Sequence, residues 1–229
     1  MNSNIFRRMT RISKIVFLFS FITLIYGCGE NEIDYKYATN EDLFECNNKD
    51  YRLVKEATYA FEDFITKNYV FLGVTVPEGY HNYLKVLFNN RPPAVEYLSD
   101  HIKNITTVFE NRDDLWTVKN NKVRLNYEHP AAKCIIDNVK DEELKKILDA
   151  LISSNTVTPQ VLAPILFEKK HLMAKEDRAL AAYVTMDMFF SKLLEMRLPG
   201  YVEESQNFGK EDFNIDNAQK LGKSNQIKN

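Results

Sequence analysis

Residues 175–197 read KEDRALAAYVTMDMFFSKLLEMR, and this stretch decides the fold class. Ala179, Ala182, Tyr183, Met186, Phe189, Phe190, Leu193 and Leu194 recur three and four apart. That spacing puts them on one inward-facing stripe of a 3.6-residue helix. Pro199-Gly200 then stops it, since proline cannot continue the helical hydrogen bonding. This is the longest helix expected in the chain, from about Lys175 to Arg197.

Working outward from it, the same periodicity recurs. Leu53, Val54, Ala57, Ala60, Phe61, Phe64 and Ile65 form a stripe that Asp50 can cap. Gly73, Pro77 and Gly79 break the pattern before Tyr83, Leu84, Val86, Leu87 and Phe88 mark a short second helix. Pro92-Pro93 opens a third, with Val95, Leu98, Ile102, Ile105 and Phe109 along it. A short helix is expected from Ala131 to Val139, and another through Leu144, Ile147, Leu148, Leu151 and Ile152, begun by the acidic residues 141–143. Thr158-Pro159 caps and starts a helix through Val161, Leu162, Ile165 and Leu166, which Pro164 should bend or shorten.

Between Leu115 and Tyr127 the period falls from 3.6 to 2. A two-residue turn at Asn120-Asn121 would pair Val118 with Val123 and Trp116 with Leu125, at the expense of Lys119 facing Lys122. The expected fold is therefore mostly α: an irregular bundle of about six helices over 49–199, with one small β-hairpin at about 115–127.

The composition agrees with a globular chain: 229 residues, 45% hydrophobic and 27% charged, with no internal repeat. A net charge of −2 leaves no electrostatic footprint for nucleic acid. Residues 28–48 are polar and acidic and read as a tether docking near Cys46, with Tyr35, Tyr37, Leu43 and Phe44 as contacts. Residues 200–229 hold isolated apolar side chains among Asn, Gln, Lys and Glu. They cannot bury enough surface to offset ordering entropy, so a disordered tail is expected.

The N-terminus carries Arg7, Arg8, Arg11 and Lys14 without an acid, followed by an uncharged run from Ile15 to Tyr26. The run falls short of the ~20 apolar residues that span a bilayer, and reads as the core of a signal peptide. Leu24-Ile25-Tyr26-Gly27-Cys28 resembles the cleavage site of bacterial lipoprotein signal peptides at Ile25, Gly27 and Cys28. Tyr26 departs from the small residue usual there. The resemblance covers about the first 30 residues. It implies removal of 1–27 and diacylglycerylation of the Cys28 thiol, so that acyl chains such as palmitate tether the protein to a membrane of the cell envelope. Gly29 after the cysteine, in place of an inner-membrane retention aspartate, implies an outer-membrane destination where the cell has one. The residues by themselves also allow an uncleaved anchor helix over 12–26 or an ordinary cleaved signal peptide.

Three cysteines less Cys28 leave Cys46 and Cys134, either as a disulfide formed in an oxidising compartment or as two separate thiols. Searches for nucleophile elbows, phosphate loops, dinucleotide glycines, zinc-protease histidines and calcium loops find none, so no catalytic residue or cofactor is expected. One constellation stands out: Glu78-x-x-His81 and Glu168-x-x-His171, each on one helix face, with Glu62 and Glu96 as further carboxylates. That is the ligand chemistry of ferritin-like di-metal bundles. Against it, Glu78 lies between Pro77 and Gly79, and Lys169-Lys170-His171 suits an exposed helix end. His101 is expected to be solvated or half-buried, His129-Pro130 to begin a helix, and the 112–114 corner to be a solvated turn. The expected function is a non-enzymatic interaction or assembly factor that engages an envelope protein. The alternatives are a di-metal oxidoreductase and a carrier of a small apolar ligand held between helices.

Overall fold

The structure, a computed structural model, describes residues 33–69 and 75–201. The signal-peptide reading, Cys28 and all but the first two residues of the expected 200–229 tail lie outside the described residues. From Tyr35 onward they belong to one unit.

Its elements in chain order are α1 (Tyr51–Asn68), α2 (Val76–Phe88), a 3₁₀ turn (Val95–Tyr97) and α3 (Asp100–Glu110). Strands β1 (Trp116–Lys119) and β2 (Lys122–Leu125) follow, then α4 (Pro130–Asp137), α5 (Glu142–Ser153) and α6 (Pro159–Glu168). A π-helical turn (Leu172–Glu176) leads into α7 (Arg178–Tyr183), a second π-helical segment (Val184–Phe190) and α8 (Ser191–Glu195). The last three run on from one another as a terminal helix over 178–195. The fold is mostly helical with one small antiparallel hairpin.

The terminal helix is the hub. Each residue from Ala179 to Ser191 is buried, the polar Thr185, Asp187 and Ser191 together with the apolar stripe read from the sequence. A helix buried on all sides is enclosed on all sides, and here α1, α2, α3, α4 and the hairpin enclose it. Phe61 of α1, Tyr83 of α2 and Phe189 meet with ring centroids 4.7–5.8 Å apart. Phe109 of α3 bridges Phe190 at 4.9 Å and Trp116 at 5.4 Å. Edge-to-face pairs of this kind contribute about 0.5–1.5 kcal/mol each beyond their burial. Asp177 starts the helix by accepting from Leu180 N at 3.1 Å. In the π-helical segment Ser191 N reaches back five residues to Met186 O, and the Met188 carbonyl accepts the buried Tyr83 hydroxyl at 3.0 Å.

The hairpin has the expected register, Trp116 opposite Leu125 and Val118 opposite Val123. Asn120 and Asn121 turn it with φ of 52° and 58°, the left-handed pair that matches strand twist. Lys119 does face Lys122, but Lys122 reaches Glu195 at 3.4 Å, which offsets the repulsion.

Three local expectations are corrected. Pro92-Pro93 does not open the third helix: Val95–Tyr97 form a separate 3₁₀ turn, and α3 begins after Ser99, whose hydroxyl accepts from Ile102 N at 3.3 Å. Pro77 and Gly79 do not break α2 but lie inside its first turn, where proline lacks only an N–H with no helical partner. Gly79 lets α2 approach α1 closely there: an added Cβ would stand 3.1 Å from Ile65 Cγ1 of α1. Finally, part of the expected 28–48 tether belongs to the folded unit. Tyr37 and Leu43 are buried, and Tyr37 N donates to both Glu56 carboxylate oxygens at 3.0 and 3.2 Å. A disulfide joins Cys46 to Cys134 of α4 with Cα atoms 6.2 Å apart.

Candidate functional site

The terminal helix carries Asp187 and Glu195, both buried, and each accepts a backbone N–H of β2. In an antiparallel pair, alternate residues direct their N–H groups away from the neighbouring strand. Val123 and Leu125 are the residues that do so in β2. Leu125 N donates to Asp187 Oδ1 at 2.9 Å and Val123 N to Glu195 Oε2 at 3.4 Å. Two carboxylates thus take the place a third strand would occupy, which satisfies an otherwise orphaned sheet edge. Asp187 Oδ2 also accepts the Tyr127 hydroxyl at 2.9 Å and the Tyr183 hydroxyl at 3.2 Å. Full burial raises the Asp187 carboxyl above the usual carboxylate range, against the Arg124 charge and these hydrogen bonds. Burial likewise raises both phenols, and the Asp187 charge adds to it.

Over this floor opens a cleft of about 220 Å³. The end of α2 supplies Leu87, Asn90 and Arg91, and β2 supplies Lys122 and Arg124. Thr158, Pro159 and Gln160 of the α6 start and Met188, Lys192 and Glu195 of the terminal helix complete the wall. Gln160 Nε2 donates to the Leu87 carbonyl at 3.3 Å and to Asn90 Oδ1, clamping α6 to the α2 end. Asn90 takes a φ of 55°, which turns the chain out of α2. Glu195 accepts from Lys192 at 2.6 Å and Lys122 at 3.4 Å. Arg124 Nη1 stands 3.7 Å from Asp187 Oδ2, an ion pair beyond hydrogen-bond length. The cleft is smaller than the roughly 300 Å³ expected of a carrier's apolar cavity and is walled by charge.

The residues singled out from the sequence lie elsewhere. His81 of α2 meets Phe167 of α6 with ring centroids 5.3 Å apart, so the two Glu-x-x-His segments are neighbours. They do not converge as a ligand set: among the described residues no three His, Cys, Asp or Glu side chains are grouped to hold a metal ion. Glu78 closes the capping box of α2, its Oε2 accepting from Thr75 N and Thr75 Oγ1 at 3.1 Å each. Those hydrogen bonds hold its carboxyl below the usual range. His81 is shifted down by desolvation and by Lys85 and Lys170. Glu168 and His171 are exposed. Glu62 is paired with Arg178 and accepts the Tyr80 hydroxyl at 2.9 Å, while Glu96 is exposed on the 3₁₀ turn.

The 112–114 corner and two histidines have closer partners than the sequence suggested. Arg112 Nη1 donates to buried Asp50 at 2.6 Å and its Nε to Asp114 at 3.0 Å. His129 caps α4 through Nδ1 and holds Asp114 at 3.2 Å through Nε2. This knot ties α1, the β1 approach and α4 together, so the expected solvated turn is replaced by a partly buried ion-pair network. Asp50 precedes α1 without capping it by its side chain, which is spent on Arg112. His101 Nε2 meets Glu56 at 2.7 Å.

Asp187, Arg91, Lys122, Arg124 and Lys192 were not singled out from the sequence. One signal was present: residues 179–190, ALAAYVTMDMFF, hold a single charged side chain, and a lone carboxylate in such a run marks a buried, partnered acid. The cations had no such signal, being spread from position 91 to 192. Among the described residues no helix is long and apolar enough to cross a membrane. Comparison of the chain with protein-family models, curated proteins and solved structures finds no match in any of the three.

Proposed function

We propose that this chain is a lipid-anchored protein of the bacterial envelope that acts by binding, with Cys28 carrying the acyl chains and the folded unit recruiting another envelope component at the cleft. The observation that carries the reading is the cleft itself, an open recess in which Lys122 of β2 and Lys192 of the terminal helix are both held by Glu195. It is further supported by the commitments of the other polar side chains. His101 and His129 are engaged by carboxylates, and the hydroxyls of Thr185 and Ser191 donate to carbonyls of their own helix. Each of these four side chains has a structural role that holds one element to another or to itself.

The test has two parts in cells that acylate lipoproteins. Labelled palmitate should enter the wild-type chain and not Cys28→Ala, which should leave the membrane fraction; retention and labelling of that variant would end the anchor reading. A photo-crosslinking residue at exposed Asn90, on the cleft rim, should give a discrete adduct that the same residue at exposed Lys146 of α5 does not. Equal patterns from both positions would end the cleft reading.

A further inference from the structure

We propose that the outer edge of β1 is an interaction surface, and that residues 212–216 of this same chain, DFNID, occupy it as a third strand. In the hairpin Val123 and Leu125 turn their N–H groups outward, to Glu195 and Asp187. Val118 and Trp116 stand opposite them, so the same alternation turns the N–H and C=O groups of Val118 and Trp116 to the other side, the free edge of β1. Among the described residues no hydrogen bond reaches these groups, and β2 is the main neighbour of the strand. The edge is also wet: Val118 is 60% exposed and Lys119 beside it is exposed. Open backbone groups next to an exposed β-branched side chain are a template for strand addition.

The occupant follows from where the described chain ends and from what continues it. Tyr201 lies beside Lys122 and Arg124 of β2 in the wall of the recess, its ring 5.3 Å from Lys192 Nζ. Asp212 comes eleven residues later, a length of chain that reaches up to ~35 Å, while β1 is one strand spacing, about 4.8 Å, beyond β2. Asp212, Phe213, Asn214, Ile215 and Asp216 alternate polar and apolar, the period of a strand with one covered face. One antiparallel register suits every pair: Phe213 faces Val118, Ile215 faces Trp116, Asn214 faces Thr117 and Asp212 faces Lys119. Phe213 then covers the exposed Val118. Asp212 brings an opposite charge to Lys119, whose neighbour in the hairpin is the like-charged Lys122. A slip of one residue would turn Phe213 and Ile215 to the wet face. A slip of two would set Lys119 against Lys210 and Val118 against Glu211. The composition that predicts disorder for this segment in isolation is no bar, because an existing edge supplies backbone partners without a new core.

The experiment uses the full chain in a non-ionic detergent, with backbone amide hydrogen exchange followed by NMR. The Trp116 and Val118 amides should be protected in the wild type and should exchange at least about tenfold faster when Phe213→Asp and Ile215→Asp are combined. The Thr117 and Arg124 amides, which the hairpin itself pairs, should not change, so loss of the third strand is separated from a general loss of folding. Cysteine pairs under mild oxidation read the register. Lys119→Cys with Asp212→Cys should crosslink within one chain, and Lys119→Cys with Asp216→Cys should not. Exchange at Val118 as fast as at an open amide, or protection indifferent to the changes at Phe213 and Ile215, overturns the proposal. A crosslink that joins two chains overturns it as well, by assigning the edge to a second copy. None of these results bears on the crosslinking at Asn90, so the cleft reading stands or falls separately.

Discussion

Arg178 at the start of the terminal helix grips Glu62 of α1 with both arms of its guanidinium, Nη2 donating to Oε2 at 2.9 Å across 116 residues of sequence. The pair is largely buried, with side-chain exposures of 14% and 11%. Tyr80 of α2 donates to the same carboxylate, so three helices meet at one charge. Removing one partner would strand the other in a poorly solvated place, at about 3–5 kcal/mol. Glu62→Ala or Arg178→Ala should each lower the urea midpoint accordingly, and the double variant should cost less than their sum. Tyr80→Phe, which removes one hydroxyl, should cost about 1 kcal/mol.

Asp187 gives the folded unit a pH dependence of definite sign. Its folded carboxyl binds a proton more readily than in the unfolded chain, because burial raises it above 3.8. Stability from this group is therefore greatest below that value and falls as pH rises through the raised folded value. The slope from one proton is at most about 1.4 kcal/mol per pH unit. Asp187→Asn cannot titrate, so wild type should lose stability relative to the variant as pH climbs above about 4. Parallel urea series on the two proteins check it, and parallel curves would disprove the assignment.

Asp114 acts in the opposite sense. The hydrogen bonds from Arg112, with help from His129, hold its carboxyl well below 3.8 despite partial desolvation. Its contribution is present above the unfolded value and lost as pH falls through the depressed one. The side chain is 52% exposed, so the effect is screened to under about 1 kcal/mol. Asp114→Asn should bring the acid unfolding midpoint, followed by circular dichroism, to higher pH.

Opening the Cys46–Cys134 bridge, which spans 88 residues, should cost about 4–5 kcal/mol if chain entropy dominates. The loss should be local first. With Cys46→Ser and Cys134→Ser together, amides of 35–47 should exchange with deuterium well before those of the terminal helix.

Gly79→Ala tests the contact between α1 and α2. Alanine gains about 1 kcal/mol of helix propensity, but its methyl would crowd the buried Ile65 side chain. Because Ile65 is enclosed, crowding should win, with a net loss of about 1 kcal/mol in thermal or urea unfolding. Adding Ile65→Val removes the atom at 3.3 Å and should recover part of that loss.

Much of this architecture was legible before any coordinates. The spacing of Ala182, Tyr183, Met186, Phe189 and Phe190 specified a helix, and the alternation around Asn120-Asn121 specified the hairpin and its register, because both depend on local backbone geometry. The other face of the terminal helix was harder to read. Thr185, Asp187 and Ser191 look like the wet side of an amphipathic helix, and only the helices packed on them show that side to be dry.

The chain by itself determined which segments become helices and strands, since propensity, capping and period act between residues a few positions apart, while the starts of α2 and α3 departed from that reading. Tertiary structure alone decided which charges meet: Glu62 with Arg178, Asp50 with Arg112, and β2's outward N–H groups with Asp187 and Glu195. It also decided that Arg91, Lys122, Arg124 and Lys192 share one recess. Electrostatic interactions act through space between groups far apart in sequence, so their pairing exists only once the apolar core has fixed the positions of the helices that carry them.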